Sequence, residues 1–78
     1  MKDKENICTS DFLTASILIY FKHELRELDK NNPSRILFCF IKNETTNKTL
    51  ELFHKGELKV EPKKLAYIQR NLKNRMFS

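Results

Sequence analysis

The richest apolar stretch runs from Phe12 to Phe21, with Phe12, Leu13, Ala15, Ile17, Leu18, Ile19, Tyr20 and Phe21 crowded together. Phe12, Ala15 and Ile19 fall on one helical stripe, and Leu13, Ile17 and Tyr20 on the next. A helix apolar on most sides must be covered on most sides. The β-branched Ile17 and Ile19 would also suit a strand, but a start signal decides for helix. Thr9 is the predicted N-cap, and Asp11 then places a negative charge in the first turn, where the helix dipole favours it.

After this helix the period changes. His23, Leu25 and Leu28 make a weak strand pattern, and Asn31-Asn32-Pro33-Ser34 is a dense cluster of turn formers. Beyond the turn, Ile36, Phe38 and Phe40 alternate with Leu37, Cys39 and Ile41, so six consecutive residues are apolar on both faces. That pattern predicts a strand covered on two sides. The two strands make an antiparallel hairpin around residues 31–34. A lone hairpin is marginal in water, so helices must cover at least one face. Either the first helix covers one face and the last two the other, or a second copy or partner covers what remains.

Thr45 or Thr46 is the predicted cap of a second helix through Leu50, Leu52 and Phe53. The segment "GELKVEP", residues 56–62, ends that helix and starts the next. Gly56 suits the C′ position, whose left-handed conformation glycine adopts without penalty. Lys55 places a cation at the negative end of the same helix. Pro62 suits the first turn of the following helix, where its missing N–H costs nothing, and Glu61 precedes it as a cap. From Pro62 to about Met76, Leu65, Ile68, Leu72 and Met76 share one stripe, and basic side chains occupy much of the rest. The order helix, strand, strand, helix, helix predicts one small α+β domain over residues 9–78, with residues 1–8 as a flexible lead-in.

Composition narrows this picture. The chain has 78 residues, enough for one core. A chain of this size buries only about 60–65% of its unfolded surface, which leaves a thin stability margin. Hydrophobic residues make up 40% and charged residues 32%, a globular profile rather than a disordered one. The uninterrupted apolar runs Ile17–Phe21 and Ile36–Ile41 are both far below the roughly 20 residues that span a bilayer, and the polar opening "MKDKENICTSDF" is not a secretory leader. Cys8 and Cys39 lack paired metal-ligand spacing and read as two free thiols in a reducing cytoplasm.

The net charge of +5 is concentrated at one end. All 10 acidic residues fall at or before Glu61, where 10 of the 15 Lys and Arg balance them. The excess is Lys63, Lys64, Arg70, Lys73 and Arg75, with no acid among them. Tyr67, Gln69 and Asn74 are interleaved. Such a face can track a phosphate backbone through counterion release, and its amides could meet base edges. The blander reading, weighed above the nucleic-acid one, is the solvated face of an ordinary surface helix, and an acidic protein or a membrane surface are further alternatives.

Candidate chemistry is sparse. A phosphate-cradling loop needs several glycines, and the chain has one. Ser10, Asp11 and His23 could be imagined as parts of a nucleophilic site, but a capped helix and a strand-end histidine explain them better. His23, His54, Cys8 and Cys39 lack the paired spacing of a zinc site. Glu57 and Glu61 flank a turn, where carboxylates are common without acid–base roles. The reading is therefore not an enzyme, with no cofactor, no metal and no small-molecule substrate.

The stretches "TSDFLTAS", "RILFCFI", "FHKGELKVEP" and "LKNRMFS", in this order and spacing, resemble a family of short proteins of unknown function from bacteria, archaea, their phages and mobile elements. The shared features are a Thr-Ser-Asp helix start, an aromatic-x-x-Gly-x-x-x-Val-x-Pro hinge and a Leu-Lys-x-Arg end, together covering residues 9–78. Lys22 departs from the pattern where relatives tend to carry a glycine ending the first helix, and Lys55 stands where Asn is usual. The resemblance implies an α+β fold and a setting in mobile DNA, and it implies no activity. The expectation is a non-enzymatic accessory protein contacting nucleic acid through Lys63, Lys64, Tyr67, Arg70, Lys73, Asn74 and Arg75. The alternative is an interaction module or homodimeric adaptor that uses the strand residues Ile36, Phe38 and Phe40, with no nucleic-acid role.

Overall fold

The computed structural model describes residues 6–32 and 34–77. Six elements follow in the order β1 (Asn6–Thr9), α1 (Phe12–Tyr20), β2 (Leu25–Asp29), β3 (Leu37–Ile41), α2 (Glu44–His54) and α3 (Pro62–Met76). The fold is α+β, and the expected order of helix, strand, strand, helix, helix is present with one strand added in front. That strand occupies part of the segment expected to be a flexible lead-in. Residues 1–5 lie outside the described residues.

The three strands form an antiparallel sheet in the order β1-β3-β2. β3, the most apolar strand, is therefore the central one. In register, Leu25 faces Phe40 and Leu28 faces Phe38, while Glu27 faces Cys39 and Asp29 faces Leu37. A register shift between Leu25 and Glu27 keeps both leucines of β2 on the Phe38/Phe40 side. On the opposite edge, Cys8 faces Cys39, and the two form a disulfide with Cα atoms 4.0 Å apart. This corrects the expectation of two free thiols. The sequence separation of 31 between the cysteines hid the pairing, because only β1, folding back along β3, brings the sulfurs together.

The core consists of Ala15, Leu18, Phe38, Phe40 and Leu72, and Phe12, Ile19, Leu25, Leu28, Ile36, Leu50 and Met76 pack around it. Residues of α1, α2 and α3 thus all pack with the Phe38/Phe40 side of the sheet. The division of helices between two faces does not occur. The overall extents, 34 × 33 × 18 Å, are those of a two-layer molecule. The second face of β3, with Leu37, Cys39 and Ile41, has the disulfide over its middle, and water reaches the neighbouring Cys8 and Glu27.

Helix ends follow local chemistry. Asp11, rather than Thr9, caps α1: its side chain accepts from the Thr14 backbone N–H, while Thr9 Oγ1 accepts from the Asp11 N–H at 3.0 Å. Three capping residues stand in a row, and the one nearest the helix takes the role. In the same way Asn43, not Thr45 or Thr46, caps α2, with Asn43 Oδ1 accepting from the Thr46 N–H at 2.8 Å. The Thr46 hydroxyl donates to the Ile41 carbonyl and so ties the helix start to the end of β3.

The C-termini of α1 and α2 are built alike. Gly56, at φ +73°, closes α2: its N–H donates to the Phe53 carbonyl and the Glu57 N–H to the Leu52 carbonyl. Lys22 repeats this at the end of α1 with the same φ of +73°, its N–H donating to Ile19 and that of His23 to Leu18. A lysine thus stands in a left-handed conformation that only glycine adopts freely. Pro62 opens α3 as expected, with Glu61 as an N-cap that makes no side-chain cap bond. The Glu61 N–H instead donates to the Tyr20 hydroxyl at 3.0 Å, which fixes the start of α3 against the end of α1.

Candidate nucleic-acid interface

The helical spacing of α3 divides its side chains into two faces. Leu65, Ile68, Leu72 and Met76 turn inward; Leu72 is 2% exposed and the other three are half-buried. On the far side, Lys63, Tyr67, Arg70 and Asn74 recur at intervals of four, three and four, which keeps them on one line. All four are exposed, and Tyr67 retains 60% of its accessible surface. Lys64 and Arg75 border this line on one flank and Lys73 on the other.

Contacts with α1 hold α3 in place. Gln69 Nε2 donates to Ser16 Oγ at 3.3 Å, and Ser16 Oγ in turn donates to the Phe12 and Leu13 carbonyls. Ser16 is fully buried, so this chain of bonds satisfies a hydroxyl that burial would otherwise penalise. Ala15 and Ser16, both small and buried, let the two helices approach closely. At the C-terminus of α3, Lys30 Nζ donates to the Arg75 carbonyl at 2.9 Å, placing a cation at the negative helix end.

Two cations of the face lie over aromatic rings. Lys64 Nζ is 5.7 Å from the centroid of Tyr20, and Lys73 Nζ is 5.9 Å from that of Phe12. Both contacts fall inside the range of cation–π attraction and leave the ammonium groups hydrated. Beside Lys73, a shallow groove lined by Phe12, Ala66, Gln69 and Arg70 runs between α1 and α3. Among the described residues, Lys63, Lys64, Arg70 and Lys73 form no ion pair; the pair that does form, Lys55 with Glu51 at 3.3 Å, lies on α2. Among the described residues, no carboxylate therefore pairs with these four cations.

The other predicted sites are arranged differently. Phe38 and Phe40 are 1% and 0% exposed, and β3 is paired along both edges, so it offers no open edge. Ile36 is half-buried against the same core. Ile36, Phe38 and Phe40 therefore do not form the accessible interaction strand that their pattern suggested. Any pairing through the sheet must use β1 or β2.

Ser10 and Asp11 precede α1 and His23 follows it. Nine helical residues, about 14 Å, separate them, so they do not assemble as a nucleophilic set. Asp11 is held below the usual carboxylate range by the Thr14 hydroxyl and backbone N–H that bond to it. His23 Nε2 lies 2.9 Å from Thr49 Oγ1 on α2, and partial burial lowers its pKa. Cys8 and Cys39 are bonded to each other, and among the described residues no three His, Cys, Asp or Glu side chains gather as a metal site requires. Among the described residues, no helix is long and apolar enough to cross a membrane.

No known family, curated protein or solved structure matches the chain.

Proposed function

We propose that this protein is a non-enzymatic binding module that contacts the phosphate backbone of nucleic acid through the outer face of α3. In the setting implied by the resemblance above, it is an accessory protein of a phage or other mobile element, working in the cytoplasm of the host cell. The observation that supports this reading is the exposed line Lys63, Tyr67, Arg70 and Asn74, flanked by Lys64 and Lys73, on a helix without a carboxylate. Each lysine or arginine that neutralises a phosphate releases condensed counterions. Tyr67 presents a ring on which an unpaired base can stack, and Asn74 offers both a donor and an acceptor.

The test is fluorescence anisotropy with labelled single-stranded DNA, duplex DNA and RNA at low salt. The wild type binds at least one of them. Replacing Lys63, Lys64, Arg70 and Lys73 together by Glu abolishes binding while the circular dichroism spectrum is retained. Tyr67→Ala weakens single-strand binding by about tenfold, the size of one lost stacking contact. A fourfold-reversed variant that binds as well as the wild type overturns the proposal.

A further inference from the structure

The disulfide joins two cysteines in very different surroundings. Cys8 lies exposed on an edge strand, whereas Cys39 is 4% exposed in the central strand. The edge strand itself is slight. β1 has four residues, and none of its side chains belongs to the core cluster or to the half-buried residues packed on it. β1 is thus held by its ladder to β3, a few contacts with α1, and one covalent bond. The cluster that holds the three helices to β2 and β3 is complete without it.

From this asymmetry we infer that Cys8–Cys39 is a thiol–disulfide exchange site, opened by dithiol reductants through Cys8, and that it governs whether β1 stays docked on β3. A thiolate of the dithiol attacks Cys8 Sγ, the sulfur of the exposed residue of the pair. A mixed disulfide forms between the reductant and Cys8, the Cys8–Cys39 bond breaks, and Cys39 leaves as a thiolate that takes a proton from water. The second thiol of the reductant then attacks its own sulfur in the mixed disulfide and expels Cys8, which is protonated in turn. The protein gains two electrons and two protons, and the dithiol becomes a cyclic disulfide.

Once the bond is open, a four-residue ladder at a sheet edge and a few contacts with α1 are what hold β1 among the described residues. A short edge strand belongs to the low-stability end of a fold and exchanges its amides by local opening. Its release uncovers the β1-facing N–H and C=O groups of Phe38–Ile41, a ready template for another strand. The inference does not depend on nucleic-acid binding by α3, which lies on the other layer.

Two measurements on the full chain test it. In the first, the oxidised protein is treated briefly with glutathione, a monothiol that stops at the mixed disulfide, and is then alkylated and mapped by mass spectrometry. Glutathione is expected on Cys8; its capture on Cys39, or no reaction under native conditions, overturns the proposal. In the second, hydrogen exchange is compared with and without dithiothreitol. On reduction, the amides of residues 6–9 and the β3 amides that face them are expected to exchange at least about tenfold faster, while those of Leu18 and Leu72 stay protected. Cys8→Ser reproduces the reduced pattern whether or not dithiothreitol is present. A β1 equally protected in both states overturns the inference, and so does loss of protection throughout α1 and α3, which would make the bond a staple for the whole domain.

Discussion

α1 and α3 lie side by side in one layer, yet they present opposite chemistry to their surroundings. α1 carries no charged residue and buries four consecutive positions, Ala15, Ser16, Ile17 and Leu18. In α3 the one fully buried residue is Leu72, and the helix carries five cations. Neighbours cover much of the first helix, although Leu13 stays 43% exposed, whereas the second is held along one stripe by Leu72, its half-buried flank and the Gln69–Ser16 bond. Substitutions in α1 should therefore alter stability, and substitutions on the outer line of α3 should alter binding alone.

The sharpest way to break that division is to truncate one side chain from each helix. Leu18→Ala removes a fully buried side chain from the centre of the core and should cost about 3–4 kcal/mol, enough to threaten folding in so small a domain. Tyr67→Ala, on the exposed line of α3, should change stability by less than about 0.5 kcal/mol. Urea denaturation followed by circular dichroism measures both. Equal effects would mean that the outer face of α3 is structural.

The ends of α1 sharpen the comparison at smaller scale. Lys22 adopts the same φ of +73° as Gly56, so Lys22→Gly should relieve left-handed strain and stabilise the fold by about 0.5–1 kcal/mol. Gly56→Ala is the converse change and should destabilise it by a similar amount. Asp11→Ala removes the cap of α1 and should cost about 1 kcal/mol, seen as a lower urea midpoint with an unchanged slope.

The smallest expected effect is on pH dependence. Burial holds the His23 pKa below 6.5, so the unfolded chain binds a proton more readily than the folded one. Stability from this group is present in full above pH 6.5 and falls as the pH drops from there through the lowered folded value. His23→Gln, which can still bond to Thr49, should flatten that part of the pH–stability curve.

Much of this architecture was legible wherever one residue type forces a conformation. Gly56 and Pro62 bracketed the two C-terminal helices, and the Asn31–Ser34 cluster marked the hairpin between β2 and β3. The amphipathic pattern of α3 separated its cations from Leu65, Ile68 and Leu72 without any coordinates. β1 was not legible, because "NICT" is four residues long and only half apolar, and its partner lies more than 30 residues away. Both misreadings of the sheet follow from that. Without β1, β3 looks like an edge with an uncovered face, and Cys8 looks like a thiol in a tail. The choice of caps was misjudged for a different reason. Thr9, Ser10 and Asp11 are all competent, as are Asn43, Thr45 and Thr46, and only the exact helix start decides among them.

The account turns on whether the exposed cations Lys63, Lys64, Arg70 and Lys73 of α3 meet phosphates, and the salt dependence of oligonucleotide affinity tests this most directly. With Lys63, Lys64, Arg70 and Lys73 in contact, the logarithm of the association constant should fall against the logarithm of salt concentration with a slope of about −3. Charge reversal at two of these positions should roughly halve that slope. A slope near zero, or one that does not change in the variant, would contradict the account.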